Sequence, residues 1–172
     1  MPTLKHVLPC AIALVAVIPT LSAQQGPLLP VIGKVTDGEA KLPDCTIIAF
    51  KDNVAMDTLV TGKNGKFDLA LELQHTYGIE FRAEGYVPKR ILVETAFPHE
   101  EEDIFFEPLV MDISLLLKEK YEGVDADVLD FPFAIVRFDK GQQAFVQDRD
   151  YTMGMQRANG ALLLMAARAR KE

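Results

Sequence analysis

A seven-stranded Greek-key β-sandwich, followed by a β-hairpin and a C-terminal amphipathic helix, is the mainly β fold that three observations predict. Residues 61–95 carry three alternating strand patterns joined by an Asn64-Gly65 turn, a polar loop and a Gly85-Tyr86-Val87 turn. Phe67, Leu69 and Leu71 share one face of the first, Tyr77, Ile79, Phe81 and Ala83 one face of the second, and Ile91 and Val93 one face of the third, which is a half-buried antiparallel meander. Turn signals recur between residues 31 and 93 at the spacing of a sandwich rather than of a parallel sheet. Finally, Tyr151, Met155, Ala158, Leu162, Met165 and Ala169 recur at steps of four and three, the stripe of an amphipathic helix.

The elements follow in order. A proline-bearing lead-in at 24–30 precedes a first strand, Val31-x-Gly33-x-Val35, whose glycine allows a neighbouring backbone to come close. Thr36-Asp37-Gly38-Glu39 supplies a turn, residues 45–50 a β-rich run closed by Lys51-Asp52-Asn53, and residues 56–61 the next strand. Asn64, Gly65 and Gly85 tolerate the positive φ of tight turns. Residues 104–111 read as the seventh strand, which Pro108 confines to an edge.

The last 60 residues differ in texture. Residues 114–121 read as a short helix or a connector, and residues 131–138 and 143–146 as a hairpin around Asp139-Lys140-Gly141. Asp148 or Asp150 is placed to cap the terminal helix. Arg168, Arg170 and Lys171 offset the negative end of its dipole, while Gly154 and Gly160 weaken it in isolation. The apolar stripe therefore needs a surface: the hairpin or sandwich, or else a partner helix or membrane surface.

The N-terminus reads as a secretory signal peptide over residues 1–23. Lys5 and His6 form a basic start, residues 7–18 are almost wholly apolar, and Thr20-Leu21-Ser22-Ala23 offers small residues before cleavage at Gln24. The apolar run falls short of the roughly 20 residues that a spanning anchor needs. Cys10 precedes most of that run and lacks the surroundings of a lipid-modified cysteine. Cleavage leaves Cys45 as the one remaining cysteine, so no internal disulfide is expected. Its alternation with Ile47 and Ala49 predicts a buried, inert thiol. Composition, 49% hydrophobic and 25% charged, is that of a globular protein. Removing the first 23 residues takes away Lys5 alone among charged side chains, so the net charge moves from −7 to −8, which argues against nucleic acid as a partner. The organisation is thus a signal peptide at 1–23, a sandwich at 24–112 and a C-terminal extension with hairpin and helix at 113–172.

Val31-x-Gly33-x-Val35-Thr36-Asp37, Leu42-x-x-Cys45-x-Ile47, Thr61-x-x-Asn64-Gly65-x-Phe67-x-Leu69 and Gly85-Tyr86-Val87-x-Lys89 together resemble the carboxypeptidase regulatory-like domain, a prealbumin-like sandwich attached to many secreted and envelope proteins. The resemblance covers residues 29–111. Cys45 stands where that family has a small residue, and Gly62 where an Asp commonly follows the threonine. Pro132-x-Ala134-x-Val136 and Phe145-x-x-Asp148-x-x-Tyr151-Thr152 are similar to small exported Bacteroidetes-type proteins that carry this domain. The resemblance implies that the domain itself is non-catalytic.

The residues point the same way. After signal removal the histidines are His75 and His99, and neither has the paired-ligand motif that zinc hydrolysis uses. Ser114 is then the one remaining serine, in an apolar setting without the glycines of a nucleophile elbow, and no phosphate-binding glycine loop occurs. The acidic run His99-Glu100-Glu101-Glu102-Asp103 lacks the spacing of a calcium loop and reads as solvated. No catalytic, cofactor-binding or metal-ligating residue is assigned. A sugar platform relies on exposed Trp or Tyr; the chain has no Trp, and strand periodicity and turn motifs account for Tyr77, Tyr86 and Tyr151, leaving Tyr121. The expectation is a non-catalytic exported accessory or structural protein of the periplasm or outer-membrane periphery. Its partner would be an envelope protein met through sandwich edges and the terminal helix. A carbohydrate- or cell-wall-binding module is the alternative.

Overall fold

The computed structural model describes residues 27–98 and 106–171. The signal-peptide reading and the acidic run at 99–103, His99 included, lie outside the described residues. The strands are β1 (Leu28–Thr36), β2 (Thr46–Lys51), β3 (Val54–Val60), β4 (Lys66–Glu72), β5 (Thr76–Arg82), β6 (Lys89–Glu94), β7 (Leu109–Ser114), β8 (Ala134–Asp139) and β9 (Ala144–Gln147). Single 3-10 turns occupy Lys118–Tyr121 and Asp127–Asp130, and the helix α1 spans Arg149–Ala169.

The strands form two unequal sheets, β4-β1-β7 and β3-β2-β5-β6-β8-β9. Alternation decides which side chains face inward: Leu29, Val31 and Val35 from the small sheet meet Ile47, Tyr77, Ile79, Phe81 and Val93 from the large one, all fully buried. Each such burial contributes about 1.5–3 kcal/mol before the entropy of ordering is set against it. Tyr77 keeps its hydroxyl satisfied by accepting from the Glu72 amide at 3.0 Å. Cys45 lies fully buried on this inner face, and burial pushes its thiol up to about 11.

Gly33 sets the spacing of the small sheet. It pairs with Phe67 on one side and Met111 on the other, and a Cβ there would fall 2.1 Å from the Met111 carbonyl and 2.7 Å from the Phe67 ring. Phe67 uses that gap to lie edge-on against Phe81, centroids 5.3 Å apart. Gly65 adopts the left-handed φ of +65° that the turn into β4 requires, with Asn64 Oδ1 accepting from the Lys66 amide. The turn from β2 to β3 instead places Asp52 and Asn53 at positive φ, residue types that tolerate it.

Several boundaries differ from the sequence expectation: β1 already starts at Leu28, inside the expected lead-in, and β3 starts at Val54 and ends at Val60. The seventh strand begins at Leu109 and runs on to Ser114, leaving Pro108 just outside it. It is an edge strand, parallel to β1. The short segment expected at 114–121 contributes its start to β7 and shortens to one 3-10 turn. The β8–β9 hairpin extends the large sheet, because β8 pairs in parallel with β6 through Ile91↔Ala134 and Val93↔Val136. Across this join Arg137 of β8 bonds Glu94 of β6 at 2.9 Å, and it also reaches Asp148, just after β9, at 3.4 Å.

Asp148 caps α1: its carboxylate accepts from the Tyr151 amide at 3.0 Å. The helix packs on β8 and on the two 3-10 turns, with Thr152, Met155 and Ala166 buried. That seam is turned by roughly 60° from the expected stripe, at 100° per residue. The cause is polar. Thr152 donates to the Asp148 carbonyl and accepts from Gln147, and Asn159 accepts from the Tyr121 hydroxyl, so two polar residues sit in the seam. Met165, expected on the packed face, is exposed. Nothing lies within 4 Å of a Cβ added at Gly154 or Gly160. Gly154→Ala and Gly160→Ala are therefore expected to raise stability by about 0.5–1 kcal/mol each, read by urea denaturation; a loss of stability would contradict the open space found there.

Candidate functional site

The small sheet ends at β7 while the large sheet continues past it through β8 and β9. Beside β7, where a fourth strand of the small sheet would lie, runs a cleft of about 260 Å³. Its walls are β7 itself, from Leu109 to Ile113, and Ala134 and Val136 of β8 below, with Gln147 and Gln156 at the rim.

Lys89 stands at one end of this cleft. It opens β6 opposite Phe81, so it occupies the same inward row as Ile91 and Val93, an unusual place for a lysine. Its ammonium donates to the Ser114 carbonyl of β7 and lies 4.2 Å from the centroid of the Phe133 ring, a cation–π arrangement. Among the described residues no carboxylate oxygen lies within 4 Å of it. Burial lowers its pKa to about 8.

A second polar cluster ties the β2–β3 turn to the β4–β5 turn. His75 Nδ1 lies 2.7 Å from Asp52 Oδ2, His75 Nε2 3.8 Å from Glu72 Oε2, and Lys51 Nζ 2.5 Å from Glu72. The Thr76 amide holds the Asp52 carboxyl below its usual range, with His75 adding to the effect, and Lys51 does the same for Glu72. Every acid here is engaged by a backbone amide or a lysine, which makes the cluster a clamp between two turns. Among the described residues no three His, Cys, Asp or Glu side chains converge as metal ligands would. Glu80, on the outer face of β5, is buried yet paired with Arg82 and with Arg90 at 3.0 Å. Burial pushes its pKa up, but the two guanidiniums outweigh burial and hold it below normal.

Ser114 ends β7, where its carbonyl takes the Lys89 ammonium. Tyr121, the ring that strand periodicity and turn motifs leave for a sugar, is buried instead, with its hydroxyl donating to Asn159. Tyr151 donates to the Pro132 carbonyl at 2.7 Å, and none of the four tyrosines is exposed. Lys89 was missed. Carrying the alternation of Ile91 and Val93 one step back towards the turn would have found it.

No family model and no curated protein matches the chain. Among solved structures, catechol 1,2-dioxygenase from Acinetobacter sp. ADP1 is 12% identical, covering 56% of this chain and 54% of that one at a TM-score of 0.40. 3-Chlorocatechol 1,2-dioxygenase from Rhodococcus opacus 1CP is 13% identical over 54% and 61% at 0.42. S.CueP is 11% identical over 54% and 65% at 0.38. The matched part thus spans only about half to two-thirds of those chains.

Proposed function

We propose that this protein is a non-catalytic, exported accessory protein of the cell envelope whose sandwich is a protein–protein interaction module, of the kind that the resemblance to the carboxypeptidase regulatory-like domain implies. The observation that carries this reading is the mismatch of the sheets, three strands against six among the described residues, which leaves β7 with no strand of those residues on its outer edge, beside a cleft. An edge strand presents unpaired amides and carbonyls to any extended chain that reaches it. At the far edge of the large sheet, β3 exposes Val54, Met56 and Val60, apolar side chains that an isolated edge usually avoids.

The polar clusters support a non-catalytic role, since each acid and base in them is held by a structural partner. The helix α1 is an accessory surface, with Leu164 and Met165 exposed along it; among the described residues no helix is long and apolar enough to cross a membrane. A glycan platform draws no support from the tyrosines, and among the described residues Phe131 is the one large exposed aromatic side chain. Chemical crosslinking in whole cells followed by mass spectrometry is expected to recover one or two defined envelope proteins. Recovery of none, with the protein monomeric in solution, would contradict the proposal.

A further inference from the structure

We infer that the cleft along β7 takes an extended peptide that pairs with the free β7 edge and ends in a free α-carboxylate held by Lys89, an inference that rests on the interaction-module reading.

Backbone parity shows which groups of β7 are available. The Leu115 amide donates to the Thr36 carbonyl of β1, so in extended chain Leu109, Met111 and Ile113 direct their peptide groups towards β1. Val110, Asp112 and Ser114 direct theirs away, and the Lys89 bond to the Ser114 carbonyl follows from that parity. Among the described residues, Val110 and Asp112 therefore carry the free amides and carbonyls. The five residues from Leu109 to Ile113 that wall the cleft provide about 13 Å of edge at about 3.3 Å per residue, enough for a short strand.

The two faces of such a strand meet different surroundings. One faces the apolar floor of Ala134 and Val136 on β8, and the other faces solvent beside Val110. The occupant is thus an alternating segment, apolar on one side.

Charge fixes how it ends. Past Ser114 the chain crosses over, with the Val87 amide donating to the Leu116 carbonyl and the Lys118 amide to the Gly85 carbonyl, so a strand added to β7 stops at Lys89. A chain terminus there places its carboxylate next to an ammonium whose present partners are a neutral carbonyl and a ring. Asp112, the acid on the cleft wall, is paired with Lys34 at 3.4 Å and does not neutralise Lys89.

The test is fluorescence polarisation of the full protein with a fluorescein-labelled hexapeptide of alternating threonine and valine, as free acid and as C-terminal amide. The free acid is expected to bind at least tenfold more tightly than the amide. Lys89→Met is expected to remove that preference, and Val110→Pro, which deletes an outward amide at an edge that tolerates proline, to weaken both peptides alike. Circular dichroism and thermal melting confirm that each variant folds. Equal binding of acid and amide, absence of binding, or an unchanged preference in Lys89→Met would overturn the inference. Displacement by octanoate as effective as by unlabelled peptide would also overturn it, by giving the cleft to an acyl carboxylate. If whole-cell crosslinking still recovers a partner when these peptides fail, the cleft assignment alone falls and the interaction-module reading stands.

Discussion

Gly33→Ala is expected to cost about 3 kcal/mol or more, the upper end of what overpacking a core does, a large share of the roughly 5–15 kcal/mol by which a domain is ordinarily stable. The added methyl would sit 2.1 Å from the Met111 carbonyl, a backbone atom that cannot rotate away, and 2.7 Å from the Phe67 ring. Relief requires β1 and β7 to separate or Phe67 to leave its place against Phe81, and either change opens the small sheet where it covers the core. Gly33 has no positive φ, so the penalty is purely steric. Urea denaturation of the two proteins checks this, and a loss below about 1 kcal/mol would show that the strands are less tightly spaced than the structure has them.

Lys89→Met should change the pH dependence of stability in a defined direction. Burial takes the Lys89 pKa from 10.5 to about 8, so in that window the unfolded chain carries more of the proton than the folded one does. Stability contributed through this group therefore rises with pH, by on the order of 3 kcal/mol over the whole window. Other groups act oppositely: the Cys45 thiol is pushed up to about 11, and the Tyr77 and Tyr121 phenols are raised by burial. Each stays protonated in the folded state after its unfolded counterpart has ionised, which removes stability as pH climbs. Those contributions are common to wild type and variant and cancel in the difference. The variant's advantage is expected to be largest below pH 8 and to shrink by pH 10.5. Two parallel stability profiles would show that the ammonium is solvated rather than confined between the sheets.

The strands of the sandwich were legible because alternation and turn residues are local. Phe67, Tyr77, Ile79, Phe81, Ile91 and Val93 announce their face by period two, and all six are buried in the structure. What escaped depends on partners distant in sequence. The parallel pairing of β6 with β8 leaves no mark in either strand, so the hairpin read as an appendage. The helix seam was misplaced because Thr152 and Asn159 are polar, and an apolar count cannot anticipate that Gln147 and Tyr121 satisfy them. Lys89 was passed over for a related reason: charge reads as solvent-facing until the Ser114 carbonyl and the Phe133 ring are known to receive it. The candidate cleft was therefore hidden, since it arises from the difference in strand number between two sheets.

The most direct measurement of the central proposal is the whole-cell crosslinking experiment with the crosslinked residues mapped. An amine-reactive reagent is expected to join a defined envelope protein through Lys34, which flanks β7 opposite Asp112, more than through Lys171 beyond the end of α1. Absence of any adduct, together with a monomeric protein in solution, would contradict the reading of this sandwich as an interaction module.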